Sequence, residues 1–577
     1  MSDKENAKIP IEKSGIMPTT LSGSESIARA VIDAGARVAA SYPGGPITGI
    51  VDKLIDLAAS SDLYVEWSNC EKVAFEVALG CSLGGRRSVI AAKHVGINHI
   101  LDPLMTVNLT GSGGGMVILA GDDPGSYGSQ NEQDSRLLGA FAEIPVLEPA
   151  TPEQGYRMTR QAFRLSEACR LPVMVRFVAD YTVDRAPVTM EPPALATRAE
   201  FSRERRWSAL PALVVDDHAA LHKKLKQIAG SFDHPPYRTF NRSDNSGSKG
   251  IIAAGHMAAR MRHYAPHSDL SIFELGTIFP LPEDQISAFL TGVDRVYILE
   301  EVEPFVENQV RSLVQRQGLK VRIYGKSTGH VPWEGDIHLE KIAGLLTEEL
   351  GQSLNPAPAP ARTYPSRQPF GDGCSYTPFF RNLQQMIAEN LIPKPIVVGE
   401  TGCLVRLSNS PFEMLDVKYS MGSSIGIACG LWRSGVEDKI LAVSGDSVFF
   451  HTAINGLINA AHHQADIVVV IMDNETVALT GFQNRTGGGT TAMGEQVQPI
   501  YPEEVAGAMG IENVYTLDAF DEPGIRQTLQ EVFSRKGLSF LVVRGRCPFI
   551  ETRKCQATGV SDSGNIGVKK TGLDLKY

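Results

Sequence analysis

Residues 21–195 alternate between two hydrophobic rhythms. Over 24–34 apolar side chains recur at helical spacing and stop at Gly35, which predicts a short helix. Short β-branched runs over 37–41, 63–67, 88–93, 116–120 and 173–178 predict strands, and a helix is expected from about Glu71. Strands that alternate with helices predict a parallel sheet covered on both faces. A second stretch, about 205–350, carries the strand patterns GIIAAG (250–255) and RVYILEE (295–301), with a polar Ser-rich insertion, SDNSGSKG, ahead of them. SLNPAPAPARTYPSRQPF (353–370) is too rich in Pro for helix or sheet and reads as a linker. A third unit fills 371–550. The expected class is α/β, with several open parallel-sheet domains. The expected order is a flexible segment (1–20), a first domain (21–200), a middle domain (205–350), the linker, a third domain (371–550) and a tail with little to bury (551–577).

Composition narrows the function classes. A chain of 577 residues has room for three domains of ordinary size. Its net charge of −10 is spread without any basic run, which argues against nucleic-acid binding. No apolar stretch approaches the ~20 residues of a membrane span. The polar start, MSDKENAKIPIEKSG, lacks a signal-peptide core, so a cytoplasmic protein is expected. There are eight cysteines and no CxxC pair, so free, mostly buried thiols are expected, with no positive sign of an iron–sulfur cluster.

The chemistry gathers at two strand ends. KILAVS (439–444) is a buried parallel-strand pattern that stops at Gly445-Asp446-Ser447, before a helix with Ile454, Leu457, Ile458 and Ala461 at helical spacing. IVVVIM (467–472) ends in Asp473-Asn474-Glu475-Thr476. In open α/β sheets, ligands bind at the carboxyl ends of strands. Gly445 lets a ligand approach the backbone, and the N–H groups of the following helix suit phosphate. Asp446, Asn474 and a backbone carbonyl near Thr476 offer hard oxygens, the ligands that Mg²⁺ shares with phosphate.

GDS followed by DN resembles the signature of thiamine diphosphate enzymes. With it, in one order, run SYPGGPITG, EWSNCEKVAFEVALG, AAKHVGINHILDPLM, AGDDPGSYGSQNEQDSR, FELGTIFPLP, YSMGSSIGIACG and SGDSVFFHTAINGLINA. Together they resemble the catalytic subunit of indolepyruvate ferredoxin oxidoreductase, among the 2-oxoacid:acceptor oxidoreductases, from about residue 20 to 550. The resemblance implies a pyrimidine-binding domain, a transketolase-C-like middle domain and a diphosphate-binding domain. It implies thiamine diphosphate and Mg²⁺ as cofactors, with Asp446, Asn474 and the Thr476 carbonyl on the metal and Gly445 and Ser447 at the diphosphate. It places Met421 under the bent cofactor and Cys403 among the cofactor-binding residues. Glu71 matches the glutamate that binds the aminopyrimidine N1′ and promotes ylid formation; as a first-turn helix residue it would need no such role. Glu66 is the competing candidate. Lys93 and His94 close a strand and are candidates to face substrate, with His94 taken as catalytic. Gln130, Asn131 and Asp134 are candidates for the active-site mouth, His451 follows the metal loop, and His462 and His463 read as a solvated helix face.

Departures from the family pattern are informative. The family usually has Thr in YPGTP, near the substrate carboxylate, where this chain has Gly45. Of a Cys-Pro-Gly-Cys-Pro-His stretch, GDGCSYT keeps only Cys374. The family's usual ferredoxin-like domain has no counterpart among these motifs, so the expectation is that clusters reside on a partner subunit or carrier protein, or that the enzyme performs no oxidative step; this departure and Gly45 both favour the latter. The favoured expectation is nonetheless an arylpyruvate-type oxidoreductase subunit that decarboxylates a 2-oxoacid and passes the acyl group to coenzyme A, built on a homodimer core. The alternatives are a non-redox carboligase or lyase acting on a ketone, aldehyde or acyl-CoA, and a scaffold subunit with a dead site.

Overall fold

The computed structural model describes residues 18–194, 198–207, 209–244, 246–264, 270–348, 370–371 and 373–550. Nearly all of the linker at 353–370, the tail at 551–577 and most of the N-terminal segment lie outside the described residues.

A seven-stranded sheet runs Thr277–Phe279, Val146–Leu147, Val173–Val178, Met116–Asp122, Ser88–Lys93, Val38–Ser41, Tyr64–Trp67. Every pairing is parallel except that of Thr277–Phe279 with Val146–Leu147. Met116–Asp122 and Val173–Val178 are buried along their whole length, as a parallel sheet covered on both faces requires. One cover is the helix Gly23–Asp33, opened by a reciprocal capping box between Ser22 and Glu25. The sheet exceeds the expected first domain, because Thr277–Phe279 comes from the middle stretch. The helix Val214–Phe232 likewise sinks Leu221, Ile228 and Phe232 into the first unit's core.

The middle sheet runs Arg322–Tyr324, Arg295–Leu299, Lys249–Ala254, Leu270–Leu275, Arg242–Asp244, with only the last strand antiparallel. Part of the Ser-rich insertion therefore forms an edge strand. The third sheet is wholly parallel: Val417–Lys418, Ile396–Gly399, Ile440–Gly445, Val468–Asp473, Ser539–Arg544, Asn513–Asp518. The helix after Ile440–Gly445 starts at Asp446, passes through a π-helical turn at Phe449–Ala453 and continues as Ile454–His462. Ile458 is half exposed despite its spacing. No described helix is long and apolar enough to cross a membrane.

Candidate active site

In each of the first and third sheets there is a point where successive strands run off to opposite sides. In the first, the chain steps from Val38–Ser41 to one side and then returns to Ser88–Lys93 on the other. In the third, Ile396–Gly399 and Ile440–Gly445 flank the reversal. Such switch points leave a crevice at the carboxyl ends of the strands. The residues beyond these ends are SYPGGP and Lys93-His94 in one sheet, and Glu400–Cys403 and Gly445–Ser447 in the other.

The two edges meet within one chain. Tyr42 and Ser447 share a hydrogen bond between their hydroxyls at 2.7 Å. Asn69 donates to the Phe450 carbonyl at 3.2 Å. Glu71, buried at the start of the helix Glu71–Leu83, accepts from His451 Nε2 at 2.8 Å. His99 lies edge-on to His451, with ring centroids 5.2 Å apart. Burial opposes ionisation of Glu71, but the hydrogen bond and charge of His451 outweigh it and hold the carboxyl below its usual range. Glu66 is occupied locally by the Ser68 hydroxyl at 2.6 Å. Of the two, Glu71 is the one that hydrogen-bonds to the third sheet's loop, through His451.

At the other strand ends, Asp446 Oδ1 accepts from Ser447 N at 2.8 Å, and Asn474 Oδ1 accepts from Thr476 N at 3.2 Å. Glu475 between them takes a left-handed φ of 62°, uncommon for a residue with a Cβ. Arg485 lies between the two strands, with Nε 2.6 Å from Asp446 Oδ2 and Nη2 3.0 Å from Asp473 Oδ1. The first pairing lacks hydrogen-bond alignment, so Asp446 Oδ2 is buried without a hydrogen-bond partner. Burial pushes the Asp446 carboxyl well up despite Arg485, while Arg485 and Arg544 overcome burial and hold Asp473 down.

Above them, Glu400 orders the loop that carries Met421. Its buried carboxylate accepts from the Gly422 and Ser424 amides at 3.1 Å each, and from the Ser424 and Ser444 hydroxyls. Met421 O accepts from Thr452 at 3.1 Å, which ties this loop to the π-helical turn. Cys403 lies beside the switch point, where burial pushes its thiol up to about 12 against the opposing charge of Arg406.

The substrate candidates fall on the first sheet's side. Lys93 Nζ donates to Gly128 O at 2.9 Å, and burial lowers its pKa to about 8. His94 is fully buried with neither ring nitrogen hydrogen-bonded, and burial lowers its pKa. Gln130 meets Thr401 of the third unit, and Asn131 is exposed beside it. Asp134 points elsewhere: it caps the helix Ser135–Phe141, pairs with buried Arg136 and accepts from the Val302 and Glu303 amides. His462 and His463 are exposed.

Sequence reasoning missed Arg485, Glu400 and the pairing of His451 with Glu71. Their partners are remote in sequence, and no local spacing marks them.

Residues 29–216 match the profile described as pyruvate flavodoxin/ferredoxin oxidoreductase, thiamine diphosphate-binding, and residues 400–543 match the C-terminal TPP-binding domain of thiamine pyrophosphate enzymes. These spans contain the first sheet's switch point and, in the third sheet, the Glu400–Cys403 and Gly445–Ser447 ends that flank the second. The chain is 33% identical over 569 residues to indolepyruvate oxidoreductase subunit IorA of Archaeoglobus fulgidus, covering 93% of this chain and 88% of that one. It is 32% identical to the IorA subunit of Methanothermobacter marburgensis, covering 92% and 87%. It is also 32% identical to that of Thermococcus kodakarensis, covering 94% and 87%. Among solved structures, a 2-oxoglutarate:ferredoxin oxidoreductase from Magnetococcus marinus has a TM-score of 0.47 at 15% identity, over 60% of this chain and 68% of that chain.

The residues present fit a metal-bound diphosphate. Asp446 Oδ2 is a buried carboxylate oxygen without a hydrogen bond, paired with the Arg485 guanidinium that a bound cation would have to displace, next to an amide side chain on the adjacent strand end. Space is open along the edge: a Cβ added at Gly45 or Gly402 would meet nothing within 4 Å, and one at Gly445 only Tyr376 at 4.0 Å.

Proposed function

This chain belongs to the family of indolepyruvate oxidoreductase subunits IorA, and we propose that it decarboxylates an arylpyruvate-type 2-oxoacid in the crevice between its first and third sheets. It is a thiamine diphosphate-dependent 2-oxoacid oxidoreductase subunit, which decides against the non-redox carboligase or lyase alternative. The observation that carries the detailed reading is the Glu71–His451 contact, which joins the two cofactor-binding halves at one buried carboxylate.

Thiamine diphosphate, when bound, supplies a nucleophilic carbon and an electron sink for the pair released with CO₂. Asp446, Asn474 and the Thr476 carbonyl would hold Mg²⁺, and Gly445 and Ser447 would lie against the diphosphate. Met421 and Cys403 would pack against the cofactor. Glu71 would exchange a proton with the aminopyrimidine N1′ through one oxygen while His451 holds the other, fixing the carboxyl's position. Gly45, Lys93, Gln130 and Asn131 would face the substrate, with the Lys93 ammonium on its carboxylate. His94, buried beside Lys93 with free ring nitrogens, would act as a proton donor or acceptor to substrate.

Electrons would leave for a second subunit or carrier protein, and coenzyme A would take the acyl group. The naming of the relatives as subunits supports a second chain. A homodimer core rests on the family resemblance; the two edges of this site already meet within one chain. The test is calorimetric titration of thiamine diphosphate with Mg²⁺. Asp446→Ala is expected to abolish metal-dependent binding, and unchanged affinity would overturn the assignment.

A further inference from the structure

Far along the first unit from its switch point, one carboxylate and two imidazoles converge. His218 and His222 are four residues apart on the helix Val214–Phe232 and so project from one face. Their Nε2 atoms stand 2.7 and 2.8 Å from the two different oxygens of Glu143. The rings lie 4.3 Å apart, centroid to centroid, inclined by 50°. All three ligating atoms fall within 4.8 Å of one another.

The backbone keeps these groups in place. Glu143 follows the helix Ser135–Phe141 in a left-handed conformation, φ 55°, with its amide bonded to Ala140 O at 3.0 Å. Few residues with a Cβ adopt that conformation without a constraint. Leu221, one position before His222, is anchored in the first unit's core, so the histidine pair borders the buried face of its helix.

We propose that Glu143, His218 and His222 form a binding site for a divalent transition-metal ion of the Zn²⁺ type, separate from the cofactor crevice. Two imidazoles and a carboxylate suit such ions, whereas Mg²⁺ and Ca²⁺ prefer sites made of oxygen alone. At Zn–N and Zn–O distances of about 2.0–2.2 Å, tetrahedral ligand atoms sit about 3.3 Å apart. Each imidazole meets a different oxygen of Glu143, so those two contacts need lengthen by only about half an ångström, with the carboxylate turning to offer one oxygen or both to the ion. The half-exposed rings leave the remaining position to water. The ion would clip the helix Val214–Phe232 to the turn after Ser135–Phe141, and binding would raise the unfolding temperature by mass action.

The test is calorimetric titration of the full-length protein with Zn²⁺, with Mg²⁺ and thiamine diphosphate saturating. One strong site per chain is expected, together with a Zn²⁺-dependent rise in unfolding temperature. The double variant H218A/H222A should lose both while still binding thiamine diphosphate, and E143Q should weaken the site without touching either ring. Equal Zn²⁺ binding by parent and double variant, or no strong site in the parent, would overturn the proposal and leave two hydrogen bonds to one carboxylate.

Discussion

Gly96→Ala is a perturbation whose size can be read from the crevice. Gly96 lies in the first turn of the helix His94–Thr110, against the Glu71 carboxyl. A Cβ there would stand 2.5 Å from Glu71 Oε1, 2.6 Å from its Cγ and 2.7 Å from its Cδ, where ordinary contact begins at 3.4 Å. The carboxyl must therefore retreat by about 0.9 Å, and it cannot do so while keeping its 2.8 Å bond to His451. Overpacking of this kind costs about 1–3 kcal/mol, against a helix-propensity gain of at most about 1 kcal/mol for replacing Gly. Net stability should fall by between 0 and about 3 kcal/mol, seen as a drop in unfolding temperature. The chemistry should suffer far more, because misplacing a reacting group by about 1 Å can cost about 10²-fold. The control is Gly80→Ala on the helix Glu71–Leu83, where a Cβ meets nothing within 4 Å and stability should hold or rise. The assays are thermal unfolding and single-turnover decarboxylation of a 2-oxoacid. A Gly96→Ala variant that decarboxylates as fast as the parent would refute the reading that the position of Glu71 matters.

Three further outcomes are expected. Lys93 titrates near 8, so its charge is present below that pH and lost above it; kcat/KM for the 2-oxoacid should fall as pH rises through about 8, and Lys93→Met should raise KM and remove that limb. Its effect on stability runs the other way: the burial cost is absent above the ordinary value of 10.5 and grows as pH falls through about 8, so Lys93→Met should stabilise the fold at pH 7. Cys374, Cys403 and Cys547 are half-buried thiols, each pushed upward by burial, and anaerobically purified protein is expected to hold no stoichiometric iron; iron analysis that found a cluster would refute this expectation.

Much of the architecture was legible because strands buried on both faces leave continuous apolar runs. VVVIMD at 468–473 and the run at 440–445 announce themselves, and the polar residues that end them mark the crevice. Thr277–Phe279 and Val146–Leu147 are too short to leave a pattern, so their pairing, which binds the middle stretch to the first sheet, was not legible. Asp134 looked like a loop residue because the charge that buries it, Arg136, and the amides of Val302 and Glu303 are gathered only by folding. Arg485 and His451 were obscured for the same reason: their roles depend on carboxylates 39 and 380 positions away. Composition and spacing specify elements and strand ends, whereas the partners of a buried charge are set by tertiary packing.

In the proposed mechanism Glu71, held by His451, is the proton-exchanging carboxyl of the bound cofactor. Glu71→Gln keeps the side chain's size and a group able to meet His451, but cannot shuttle a proton. The decisive measurement is hydrogen–deuterium exchange at the thiazolium C2 of thiamine diphosphate bound to that variant. Exchange slowed by about 10²-fold or more, with cofactor still bound, is the predicted result; exchange as fast as in the parent would contradict the account.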